Sequence, residues 1–228
     1  AVTVLALGLV AGLFLLGQQL RTGLLEFKDR DRTVTVKGLS EREVPADLAI
    51  WPLRFVDAND DFEALYQSVA TSTERIRAFL AEAGFGDTEV TVGPPEVVDK
   101  LAQRYGGGGD IGLRYTASRT ITVYTDQVDL VRATMTRLEE LGRQGIVFDV
   151  DNYQARAQFL FTGLNDLKPA MIEEATNAAR EVARKFAEDS QSTVGRIRRA
   201  SQGQFSIDDR DASTPHIKKV RVVSTIDY

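Results

Sequence analysis

The chain has 228 residues, a formal net charge of −5 and an isoelectric point near 5.1. That balance excludes a general nucleic-acid binder, which needs a basic face. The absence of cysteine excludes disulfides, thiolate nucleophiles and cysteine-ligated metals, and a single histidine, His216, argues against a His-based zinc site within one chain.

No charged side chain occurs before Arg21. About 20 apolar residues are what a helix needs to cross ~30 Å of hydrocarbon. The run leaves through Gly17-Gln18-Gln19-Leu20-Arg21, which offers no small-x-small cleavage site. The reading is an uncleaved transmembrane anchor over 1–20, with Val4, Leu5, Leu7, Leu9, Val10, Leu13, Phe14, Leu15 and Leu16 as its membrane-contacting residues. An inefficient signal peptide or a buried core helix is the alternative. Residues 21–32 form a charged juxtamembrane linker, whose Arg21, Lys28, Arg30 and Arg32 taken alone lean toward a cytoplasmic domain.

One α+β domain is expected over 33–228. Thr33–Lys37 alternates as a strand, Ser40–Glu43 forms a polar turn, and a second strand around Asp47–Val56 completes a hairpin. Pro45 and Pro52 place that strand at an edge or bulge. A helix over about Asp61–Ala83 is capped by Asp60, carries the stripe Phe62, Leu65, Val69, Ile76 and Leu80, and stops at Gly84. Strands follow at Glu89–Asp99 and Leu113–Thr125, separated by Gly106–Gly109. Asp126 caps a helix over Gln127–Leu141, and 146–162 is extended. The longest helix, about Leu164–Ser190, presents Leu164, Leu167, Met171, Ala175, Ala178, Val182 and Phe186. Val194–Phe205 and Ile217–Tyr228 read as strands around a polar loop at Asp208–Thr214. The order ββαββαβαββ predicts a mainly antiparallel sheet with packed helices.

No catalytic, metal or cofactor constellation emerges. The four-glycine run lacks the Lys-Ser/Thr of a phosphate loop and precedes a strand, so it reads as a hairpin tip. With Tyr105 beside it, Gly106, Gly107, Gly108 and Gly109 are candidate partner contacts, as are Arg196, Arg198 and Arg199 of a small basic cluster. Charge protecting an edge strand is the plainer account of that cluster and the preferred one. Asp208-Asp209-Arg210-Asp211 lacks the glycine and terminal glutamate of a calcium loop and reads as solvated. His216 reads as a turn residue.

Several stretches together resemble the SIMPL domain family of bacterial envelope proteins over about 33–227. They are Thr33–Gly38 followed by Glu43–Asp47, the strand Tyr115–Val123, and the helix segments Glu174–Arg180 and Ala183–Ala187. Val194-Gly195-Arg196-Ile197 stands where that family has a Leu-Gly-Lys-type entry to the next strand. The resemblance implies export to the periplasm or envelope, self-assembly into rings in some members, a link to oxidative-stress tolerance, and no assigned catalytic residues. The expectation is a single-pass, homo-oligomeric inner-membrane scaffold facing the periplasm or cell exterior, with no enzymatic activity, cofactor or nucleic-acid partner. A ligand- or partner-binding module using the glycine tip and the Arg196–Arg199 strand is the alternative.

Overall fold

The computed structural model describes residues 8, 12–21, 33–102, 112–149 and 156–228. The fold is α+β with antiparallel strand pairing. After a helix over 12–21 (α1), the elements are β1 (Thr35–Pro45), β2 (Leu48–Asn59), α2 (Phe62–Ala83), β3 (Val90–Val92), β4 (Glu96–Asp99) and β5 (Tyr115–Thr125). Then come α3 (Val128–Met135), α4 (Glu139–Arg143), β6 (Val147–Phe148), β7 (Gln158–Leu160), α5 (Leu164–Asp189), β8 (Arg199–Gln202), β9 (Ser206–Asp209) and β10 (Ile217–Asp227). The chain divides into two compact units, one of 1–41, 169–205 and 221–228, the other of 42–168 and 206–220.

Within α1, Leu13, Phe14, Leu15 and Leu16 are between 60% and 66% exposed. Among the described residues no helix is long and apolar enough to cross a membrane, so the transmembrane helix expected over 1–20 is not seen there. Val4, Leu5, Leu7, Leu9 and Val10 of that expected anchor lie outside the described residues.

In the first unit β10 runs between β1 and β8. Alternation turns Val36 and Ser40 of β1 inward and leaves Thr35, Lys37, Leu39 and Glu41 exposed. Val36 packs with Ala179, Ala183, Ile226 and Tyr228. The buried face of α5 is Met171, Ala175, Ala179 and Ala183. This corrects the expected stripe, because Val182 is 37% and Phe186 55% exposed. Gly38 lies against the α5 backbone at Ala175 and Ala179, an approach that only small residues permit. A polar turn at Ser40–Glu43 does not form either; β1 continues through it, and Ser40 Oγ donates to Glu174 Oε2 at 2.7 Å.

In the second unit β2 and β5 pair along their whole length, from Ala49–Thr125 to Asn59–Tyr115. Short strands flank them: β3 and β4 along β5, β6 and β7 along β2. Buried Trp51, Leu53, Phe55, Leu65, Ile76, Leu80, Ile121, Val123, Val131 and Leu141 form one core. Each such side chain contributes about 2 kcal/mol of burial, which sets this sheet's inner face. Asp61 rather than Asp60 caps α2, accepting from Ala64 N at 2.7 Å, and Gly84 closes it at φ 111°.

The expected β1–β2 hairpin is absent: the strands belong to different sheets. Ala46 N donates to the His216 carbonyl and Asp47 N to the Leu160 carbonyl, at 2.8 and 2.9 Å, and these bonds redirect the chain. Pro52 stands in an interior strand, not at an edge. It falls between the stretches of β2 paired to β7 (Leu48–Ile50) and to β6 (Phe55–Val56), where among the described residues no ladder bond needs its missing N–H. The single helix expected over Gln127–Leu141 breaks into α3 and α4 at a turn over 136–138, and the Val194–Phe205 strand shortens to β8. The order is therefore ββαβββααββαβββ after α1.

Candidate functional site

The candidate contacts Tyr105 and Gly106–Gly109 lie outside the described residues. Just before β5, Arg114 clamps Asp99 at the end of β4, with Nε to Oδ1 at 3.2 Å and Nη2 to Oδ2 at 2.8 Å. The guanidinium hydrogen bonds hold the Asp99 carboxyl below the usual carboxylate range. The Arg114 guanidinium also sits 4.6 Å from the centre of the Tyr115 ring. Tyr115 meets Phe62 at 5.5 Å between ring centroids, and Phe62 meets Tyr66 at 5.0 Å. Phe62 and Tyr66 remain 50% and 44% exposed, which leaves an aromatic surface in the second unit.

Arg196, Arg198 and Arg199 are all exposed, and Arg199 opens β8 at an edge of the first unit's sheet. Backbone pairing fixes the last two there: Arg198 N donates to the Asp227 carbonyl at 2.8 Å, and Arg199 stands opposite Asp227. These residues and the Phe62 surface belong to different units.

A groove of about 380 Å³ opens where β2 lacks a partner strand among the described residues. Its walls are apolar, with Leu53, Leu138, Phe148, Phe159 and Pro215, while Arg54, Asp149 and Arg156 supply charge. Arg54 Nη2 donates to Ser118 Oγ at 2.7 Å and Glu96 Oε2 at 3.0 Å. Its Nε lies 3.2 Å from Asp149 Oδ2, an ion pair whose N–H is not aimed for a hydrogen bond. With its charge already satisfied internally, this network fixes β6 and β4 to the central strands; it provides no nucleophile–base pair.

The Asp208–Thr214 region holds a turn on the β9–β10 hairpin. Asp211 accepts from the Thr214 hydroxyl, Arg210 Nε, and the Ser213 and Thr214 amides. The Thr214 hydroxyl first, then the Arg210 guanidinium, pull its pKa down to about 2. His216 packs edge-on to Phe159 at 6.2 Å, and burial first, then Arg132, lower its pKa. Among the described residues no group of three His, Asp or Glu side chains gathers around a point where a metal ion would sit.

Sequence reasoning missed the outer edge of β1. Among the described residues no strand pairs with it, and it is the longest unpaired edge in either sheet. Its signal was the alternation Lys37, Leu39, Glu41 against Val36, Gly38, Ser40, which small Gly38 and polar Ser40 concealed.

A search of curated proteins finds no match to the chain. The family model described as "SIMPL: Protein of unknown function (DUF541)" matches residues 34–225, a span running from the start of β1 almost to the end of β10. The chain therefore belongs to the SIMPL family.

Proposed function

We propose that this SIMPL protein is a membrane-attached, self-assembling scaffold of the bacterial envelope. It forms a ring-like homo-oligomer outside the cytoplasm, works by association and not by catalysis, and takes part in oxidative-stress tolerance. The observation that carries the reading is the open edge of β1, because an unpaired strand edge is a template for another chain. The uncharged stretch before Arg21 and the exposed Leu13–Leu16 of α1 support attachment to lipid. Several copies in one assembly would multiply that attachment by avidity. Mass photometry of the full chain in mild detergent tests assembly: species well above the 25.1 kDa monomer are expected, and a monomer alone overturns it. Alkaline carbonate extraction tests attachment; release of the full-length chain overturns it.

The Phe62–Tyr66–Tyr115 cluster, with Phe62 and Tyr66 exposed, favours a second reading, a partner-binding module for which Gly106–Gly109 and Arg196–Arg199 are the candidate contacts. Deleting Gly106–Gly109 should then weaken partner capture, and unchanged capture and oligomer size count against it.

A further inference from the structure

We infer that the cleft between α2 and β5 is a binding site for a small monocarboxylate, held by Arg77 and Arg119. This goes beyond the scaffold reading and does not depend on it.

The sequence of β5 puts a charge where the sheet calls for an apolar side chain. Alternation turns Ala117, Ile121 and Val123 inward, and all three are buried. Arg119 falls on the same face, between Ala117 and Ile121, and is half-buried beside α2. Its Nε donates to the Gly93 carbonyl at 2.8 Å and its Nη1 to Thr73 Oγ1 at 3.2 Å. Buried Thr73 gives its own proton to the Val69 carbonyl at 2.7 Å, so toward Arg119 its hydroxyl only accepts. Both acceptors are neutral. They aim the guanidinium without neutralising it; among the described residues no carboxylate pairs with Arg119, and its Nη2 has no partner. Holding a cation partly out of water without a counter-ion costs stability, a cost that a bound anion removes.

A cavity of about 270 Å³ opens at this guanidinium. Ala70, Thr73, Glu74 and Arg77 line it from α2, a single helix face at spacings of three and four, and Val92 lines it from the end of β3. Arg77 is held loosely there. Its Nη1 lies 3.9 Å from Glu74 Oε1 and its Nη2 3.6 Å from Asp87 Oδ1, both beyond hydrogen-bond distance. The Glu74 and Asp87 side chains are 74% and 93% exposed, so water screens both pairs and a ligand can displace them.

The lining selects the ligand. Two arginines less one glutamate leave a single positive charge, which matches one carboxylate better than the nearly double charge of a phosphate monoester. A guanidinium fork fits the planar carboxylate oxygens. Ala70 and Val92 offer methyl groups to an apolar stem. The volume falls just below the ~300 Å³ at which sites for drug-sized ligands begin, so the ligand is small.

The test is methyl NMR of the full chain in mild detergent at low salt, with benzoate as probe and benzamide as its uncharged counterpart. Benzoate should shift the Ala70 and Val92 methyl signals saturably, and benzamide should bind about tenfold more weakly. Arg77→Gln and Arg119→Lys should each weaken benzoate about tenfold, the second because an ammonium lacks the fork. Glu74→Gln should tighten it several-fold by removing the competing carboxylate, a gain that arginines with a merely structural role do not give. Arg77→Gln and Glu74→Gln alter exposed side chains, so they carry the test even where an Arg119 variant fails to fold.

No saturable shift at tens of millimolar benzoate, or equal affinity for benzamide, overturns the site. Unchanged affinity in both Arg77→Gln and Glu74→Gln overturns it as well. Inorganic phosphate binding more tightly than benzoate overturns the assignment to a single carboxylate.

Discussion

Gly38 of β1 lies so close to Ala175 of α5 that a Cβ on Gly38 would overlap the Ala175 carbonyl oxygen and the Ala179 amide nitrogen. Both obstacles are helix backbone, which cannot rotate away as a side chain does. Gly38→Ala should therefore cost about 3 kcal/mol, the upper range for overpacking. Urea unfolding would measure the loss, and hydrogen exchange should show it first at β1 amides. A loss below about 0.5 kcal/mol would mean that the helix shifts freely.

Asp47 acts at a distance as a cap for α5. Its carboxylate accepts from Thr162 N at 2.8 Å and Gly163 N at 3.0 Å, just before the helix begins at Leu164. These amides have no partner within the helix, and the carboxylate also meets the positive end of the helix dipole. Asp47→Ala should cost about 1–2 kcal/mol and Asp47→Asn less, measured by denaturant unfolding.

Arg54 is the shared partner of Glu96, Asp149 and Ser118, with about a quarter (24%) of its side chain exposed. Arg54→Ala should cost about 1–2 kcal/mol after allowance for solvent screening, chiefly because two carboxylates lose their cation. The amides of Val147 and Phe148, on the strand tied down through Asp149, should exchange faster than those of β5.

The Asp211 turn predicts acid sensitivity. Its carboxyl is held at about 2, below the ordinary 3.8, so the folded state favours the ionised form. The resulting stabilisation is complete above about pH 4 and is lost as pH falls toward 2. Proton-detected titration of Asp211 should show the low midpoint. Asp211→Asn should remove that part of the pH dependence while the rest of the acid unfolding curve remains.

Strongly periodic elements were legible in the sequence. Leu65, Val69, Ile76 and Leu80 marked the buried face of α2, although Phe62 of the expected stripe is 50% exposed; Gly84 marked its end, and Ala117, Ile121 and Val123 the inner face of β5. The failures share a physical cause, which is that tertiary contacts outranked local pattern. The α5 face was misread because alanines carry little hydrophobic signal, yet Gly38 needs them. Ser40–Glu43 resembled a turn by composition, yet β10 supplies a ladder for it. Pro52 argued for an edge, yet an interior strand tolerates it where its neighbours stop short. The basic Arg196–Arg199 cluster was legible as an edge, whereas the β1 edge depended on which strand β1 chose as partner.

The pairing of β1 with β10 also imposes an order on biosynthesis. Thr35 and its partner Asp227 are separated by 192 positions, so the strand made early waits for one made late. Until β10 has emerged from the ribosome, β1 has neither its support nor a fixed outer edge. Long-range closure of this kind is slow and leaves the early strand in need of protection meanwhile. The β1 edge on which the proposed self-association rests is thus complete only once the chain through β10 has emerged.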